Sequence, residues 1–162
     1  MMPEAIKRRA LAAVLATAVA VPAEGLRRVA YYDPPGILTT CYGHTGPDVV
    51  KTKVYSIEEC KALLTKDMAA AIATVDTCVP GLPVHVLGAF GDAVYNMGPT
   101  IACNPQASTA ARLLKAGDIA GACNQLPRWD KAKVAGVMVA LPGLTKRRVV
   151  EKHLCLTGEV LT

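Results

Sequence analysis

Residues 24–44 read EGLRRVAYYDPPGILTTCYGH and place Glu24, Asp33 and Thr39 at fixed spacing in one short window. Breaking a glycosidic bond needs one protonated carboxyl to give the leaving oxygen its proton. It also needs an ionised carboxylate to stabilise the oxocarbenium-like transition state or to activate water. Glu24 follows an alanine-rich apolar stretch, whose partial desolvation favours the acid form, whereas Asp33 precedes Pro34 in a polar turn that favours the carboxylate. Environments that differ in this way assign Glu24 as acid and Asp33 as base or electrostatic stabiliser. Thr39, on the strand that follows, can hold the attacking water, while Thr40 faces the opposite way because strand side chains alternate. The same spacing also arises among ordinary solvated carboxylates.

The element that must position Glu24 is the N-terminal segment. Lys7, Arg8 and Arg9 precede Ala10–Ala23, fourteen residues without a charge. As a helix this run spans about 21 Å, short of the roughly 30 Å hydrocarbon core of a bilayer. It suits a signal-peptide apolar region, with Ala18-Val19-Ala20 and Val21-Pro22-Ala23 as small-residue cleavage sites. Three readings follow. The first is an uncleaved anchor that later leaves the bilayer and joins the fold. The second is a signal cleaved after Ala23, leaving Glu24 as the first residue. The third is a plain N-terminal helix. Pro22, two residues before Glu24, predicts a kink. The chain is accordingly divided into a signal-anchor segment, 1–23, and a catalytic domain, 24–162.

Asp33-Pro34-Pro35-Gly36 reads as a turn, Ile37–Tyr42 as a strand, and Val49–Tyr55 as a return strand. Ser56 and Glu59 form a capping box that opens a long helix to about Thr77, with Ile57, Leu64, Met68, Ile72 and Val75 at helical spacing. Pro80-Gly81-Leu82-Pro83 breaks it, and a second helix through Leu87, Phe90, Val94 and Met97 ends at Gly98-Pro99. Shorter helices follow near 107–116 and 118–126, and a last one over 145–156. Met68 and Met97 read as core. The class is α+β, mainly α.

With 162 residues the chain is long enough for one sizeable core, and its formal net charge is +5. A basic surface favours polyanions, but no Lys/Arg run is interleaved with aromatics and there is one Phe and one Trp, so nucleic acid is not expected. The six cysteines, Cys41, Cys60, Cys78, Cys103, Cys123 and Cys155, form no Cys-x-x-Cys or Cys/His cluster. Neither a metal site nor a cofactor is expected. Beside an export signal the cysteines read as disulfides.

The window resembles the active-site signature of the phage-type lysozymes, the endolysins of glycoside hydrolase family 24, in Glu24-Gly25, Asp33, Gly36, Thr39 and Gly43-His44. Tyr95-Asn96-Met97-Gly98, Ala116-Gly117-Asp118, Pro127-Arg128-Trp129 and Leu141–Arg148 look like this family too, in order along the chain. The resemblance implies a two-lobed fold, with a small β-hairpin lobe and a helical lobe joined by a long helix. It implies cleavage of the β-1,4 bond between N-acetylmuramic acid and N-acetylglucosamine in peptidoglycan. Glu24 would then donate the proton, and Asp33 with Thr39 would position the water. His44, Asn96 and Arg147 are the candidate substrate contacts, with His44 also read as a brace for the hairpin. Arg147 and Arg148 suit a carboxyl partner or a solvated helix start, and Trp129 reads as core.

The N-terminus further resembles signal-arrest-release endolysins, which are held on the host inner membrane and then freed into the periplasm. This implies transient membrane association through residues 7–23 and a monomeric enzyme. A small lobe shared by strand and long helix would pair Cys41 with Cys60, leaving Cys103–Cys123 and Cys78–Cys155 for the helical lobe. The rival readings are a lytic transglycosylase acting on the same bond and a non-catalytic, basic wall- or membrane-disrupting protein.

Overall fold

The computed structural model describes residues 1–161. The first helix, α1 (Glu4–Glu24), runs on through the exposed Pro22 to Glu24. Ala12, Ala16, Val19 and Ala20 make a stripe of small buried residues along it. That stripe lies against α3 (Val84–Met97) and α2 (Ile57–Cys78). The approach is close because α3 presents Gly88, where a side chain would stand 3.1 Å from the Ala12 carbonyl and 3.2 Å from Leu15 Cβ. The segment is therefore part of the core.

The chain then builds an antiparallel sheet from β1 (Arg27–Tyr32), β2 (Leu38–Cys41) and β3 (His44–Thr45), with Tyr31 opposite Thr39 and Thr40 opposite His44. Residues 49–55 do not form the expected return strand. They meet β1 through a bridge between Val29 and Val54, the hydrogen bond from Tyr55 N to Arg28 O (2.8 Å) and that from Arg28 Nε to Tyr55 O (2.6 Å). Ser56 caps α2 with the reciprocal bonds of a capping box, accepting from Glu59 N at 3.0 Å while Glu59 accepts from Ser56 N at 2.7 Å. α2 leads from this lobe into the helical one. There α3 lies at the centre of the main core and is packed by α1, α2 and α7 (Pro142–Thr157).

Three short helices, α4 (Thr100–Cys103), α5 (Thr109–Ala116) and α6 (Ile119–Gln125), complete the helical lobe. Gly117 and Gly158 end α5 and α7 in the left-handed conformation that favours glycine. A two-stranded hairpin absent from the sequence reading, β4 (Lys131–Val134) and β5 (Val137–Ala140), projects before α7. The last helix starts at Pro142, three residues before the expected Thr145.

The disulfides join Cys41 to Cys60, Cys78 to Cys103 and Cys123 to Cys155. The expected Cys103–Cys123 and Cys78–Cys155 pairs are thereby corrected. Cys78 ends α2 where α4 packs on it, 5.5 Å from Cys103 between Cα atoms, and α6 lies on α7 with Cys123 and Cys155 5.6 Å apart. Among the described residues no helix is long and apolar enough to cross a membrane, and no group of His, Cys, Asp and Glu is placed to hold a metal.

Candidate active site

Glu24 is the last residue of α1 and projects into a cleft of about 610 Å³ between the sheet and α3, α7 and the β4–β5 hairpin. Asp33 and Thr39 line the same cleft, as do Tyr31, Asn96 and Arg147. The three candidate catalytic residues are thus brought together by the end of one helix, one turn and one strand.

The turn after β1 holds Asp33 firmly. Its Oδ1 accepts from Ile37 N at 2.7 Å, and its backbone N–H donates to Ile37 O at 3.0 Å. Thr39 is buried, with Oγ1 3.4 Å from Asp33 Oδ2 and 3.0 Å from Ile37 O. Thr40 faces away, as alternation requires, and reaches the Arg27 carbonyl. Gly43, at φ +83°, passes beneath Glu24, where a Cβ would lie 2.7 Å from the carboxyl carbon. Only a residue without a side chain fits that approach and that φ.

Glu24 does not sit in apolar surroundings as the sequence suggests. Its Oε1 accepts from Arg147 Nη1 and faces Asn96 Nδ2 at 3.5 Å. Arg147 is itself buried and gripped from behind by Asp92, which accepts from Nε at 2.9 Å and from Nη2 at 2.7 Å. Burial opposes the charge on Arg147, but the carboxylates of Asp92 and Glu24 outweigh it and push its pKa up, so it remains a cation. The same cation outweighs the burial of Asp92 and holds that carboxyl below the usual range. Tyr95, whose hydroxyl donates to the Tyr42 carbonyl, is raised by burial and then by the charge of Glu24.

Of the candidate substrate contacts, Asn96 and Arg147 line the cleft and also touch Glu24. His44 is buried outside the cleft lining, between Asp67 (Nδ1 to Oδ2, 2.5 Å) and Asp48 (Nε2 to both oxygens, 3.0 Å), and ties β3 to α2. These bonds match its reading as a brace for the hairpin, and it is not among the residues that line the cleft. Met97, read as core, is half-buried and lines the cleft, and Trp129 packs against the main core. Arg147 and Arg148 are both buried, which rules out a solvated helix start.

Sequence reasoning missed Asp92 and Glu151, both fully buried. The signal for Asp92 was present: it is the one charged residue in the apolar run Val84–Met97, and a carboxylate inside such a helix requires a cation.

The phage lysozyme family model matches residues 21–151. The SAR-endolysin of Bacteriophage PS119 is 37% identical, the match covering 98% of both chains. The endolysin from Escherichia coli O157:H7 phage FAHEc1 superposes with a TM-score of 0.77 at 27% identity, covering 91% of this chain and 94% of that one. The muramidase domain of SpmX from Asticaccaulis excentricus gives a TM-score of 0.75 at 27% identity, over 89% and 95%.

Proposed function

The chain belongs to the phage lysozyme family, and from that premise we propose how its cleft hydrolyses peptidoglycan and how its first helix comes to complete that cleft. The activity is that of an endolysin, a muramidase cutting the β-1,4 bond between N-acetylmuramic acid and N-acetylglucosamine. Glu24 gives its proton to the glycosidic oxygen as the bond to the anomeric carbon breaks. Asp33 and Thr39 hold the water that adds to that carbon, and Asp33 offsets the positive charge that develops there and accepts the proton the water loses as the new C–O bond forms. Arg147 and Asn96 fix the direction in which the Glu24 carboxyl points, leaving Oε2 for the substrate oxygen.

The observation that carries this reading is the convergence of Glu24, Asp33 and Thr39 on one cleft from three separate elements. Reducing ends released from purified peptidoglycan by Glu24→Gln, Asp33→Asn and Thr39→Ala test it. Each should fold as the parent does and lose activity, by about 10²–10⁴-fold for Glu24→Gln. Parental turnover by Glu24→Gln would sink the assignment.

Residues 7–23 serve first as a membrane signal anchor and afterwards as the body of α1. Three features support this. Ile6, Leu11, Val14 and Val21 are exposed on α1, where a helix made only for water would be polar. Three disulfides suit the oxidising periplasm. The relatives are named SAR-endolysins. On this reading the protein sits on the periplasmic side of the inner membrane until the segment is released, and then acts in the periplasm as a monomer. Cell fractionation before and after collapse of the membrane potential tests it. A chain that is never membrane-bound would contradict it.

A further inference from the structure

Behind Glu24 lies a cluster in which three carboxyls share two guanidiniums. Arg147 touches Glu24 and Asp92, and its Nε is 4.0 Å from Glu151 Oε1. Arg148 donates through Nη2 to Glu151 Oε1 at 2.7 Å and to Asn96 Oδ1 at 2.8 Å, the same Asn96 that faces Glu24. Arg148, Asp92 and Glu151 are 0% exposed and Arg147 is 4% exposed.

With every group ionised the cluster carries three negative charges and two positive, a net charge of −1 in which only Glu24 reaches the cleft. Such an imbalance is costly at that depth, and one bound proton removes it. Glu151 is the carboxyl with the fewest donors, one guanidinium bond from Arg148, against two each for Asp92 and Glu24. Glu151 Oε2 is buried with no hydrogen-bond partner, so an ionised Glu151 leaves that oxygen without a donor. Burial pushes Glu151 well above the usual range, with the Arg148 charge opposing it and that of Asp92 adding to it.

We propose that Glu151 is a positioning residue for the general acid: it holds the cluster's one proton at rest and takes the negative charge when Glu24 carries that proton. The inference rests on Glu24 being the acid of the lysozyme reaction. When Glu24 is protonated and Glu151 ionised, the cluster is as neutral as in the resting arrangement. The link between them is electrostatic, carried by the two shared guanidiniums, so no direct transfer between the two carboxyls is required. Asn96, oriented by Arg148, keeps its amide toward Glu24 in both arrangements.

The charged and titratable groups facing the two carboxyls come from every element packed on them. Toward Glu24 these are Arg147 of α7, Tyr95 of α3 and Tyr31 of β1. Toward Glu151 they are Arg147 and Arg148 of α7 and Asp92 of α3. None of them supplies the missing charge.

Glu151→Gln removes the charge that Glu151 can take up while keeping its shape. Protonating Glu24 then leaves a net +1, so the last proton leaves the cluster more readily. The alkaline limb of the kcat/KM profile of Glu151→Gln should move to lower pH by roughly one unit or more, while Glu151→Asp keeps the parental limb. A Glu151→Gln limb coincident with the parent's, with activity scaled equally at every pH, would overturn the proposal.

Should Glu151→Gln fail to fold, side-chain carboxyl NMR of the parent, labelled at glutamate, gives the answer directly. One of Glu24 and Glu151 should be protonated at neutral pH, and two ionised carboxyls would overturn the proposal. If the parent releases no reducing ends, it is the lysozyme reading that fails, and the NMR proton count still reports on the cluster.

Discussion

Arg9 reaches 67 residues along the chain to Asp76, donating Nε to Oδ2 at 2.6 Å, while Arg8 occupies the other carboxylate oxygen. Asp76 is 6% exposed near the C-terminal end of α2, so the positive start of α1 is tied to a buried acid at one end while Glu24 enters the cleft at the other. Arg8 extends the tie to the Leu82 carbonyl at 3.0 Å.

Removing both arginines leaves that carboxylate without a partner. Arg8→Ala/Arg9→Ala should cost about 3 kcal/mol by chemical denaturation, near the low end for a broken buried pair because both guanidiniums reach solvent. Adding Asp76→Asn to that double variant should recover part of the loss. Burial alone would raise Asp76, but the two guanidiniums outweigh it and hold it below the ordinary carboxylate range. Its contribution is therefore present above the unfolded-state pKa of about 3.9 and lost as pH falls through the lower folded value. The gap between parent and Asp76→Asn should close in that acid window.

His44 gives the opposite sign. Burial would lower its pKa, but the hydrogen bonds it donates to Asp67 and Asp48 prevail and raise it. The stability it adds is complete below the unfolded-state value of about 6.5 and lost as pH rises through the folded one. Melting temperatures of parent and His44→Asn should differ most at mildly acid pH and converge above neutrality.

Gly43→Ala tests the seat of Glu24. The new Cβ would stand 2.7 Å from the Glu24 carboxyl carbon at a φ of +83°. The variant should lose about 1–3 kcal/mol of stability. Its kcat should drop at least about tenfold, since displacement of a catalytic group by an ångström costs up to about 10².

Cys123 and Cys155 lie 32 residues apart and fasten α6 to the helix that carries Arg147. Peptide mapping without reductant should recover them linked, and Cys123→Ser/Cys155→Ser should cost about 2–4 kcal/mol.

Local chemistry explains what could be read from the chain. Ser56 and Glu59 announce α2, and Gly117 and Gly158 mark helix ends, because each depends on neighbours a few residues away, whereas the spacing of Glu24, Asp33 and Thr39 gained its meaning from the further segments that resemble the family. The pairing of Arg147 with Asp92, 55 residues distant, depends on how α3 and α7 pack, as do the two corrected disulfides. The β4–β5 hairpin escaped notice for a different reason. All of β5 is exposed, so no half-buried alternation marks it, and its Ala135-Gly136 turn puts a non-glycine residue at φ +50°. A carboxyl partner for Arg147 was legible, but not that Glu24 would be one, because the apolar run before Glu24 describes the helix and not what its last residue meets.

Mass spectrometry of the glycan ends formed in ¹⁸O-labelled water tests the central claim most directly. The account predicts a new reducing muramic end carrying one labelled oxygen, because Asp33 and Thr39 deliver water to the anomeric carbon. An unlabelled anhydro end would mean that the sugar's own hydroxyl attacks, and would contradict it.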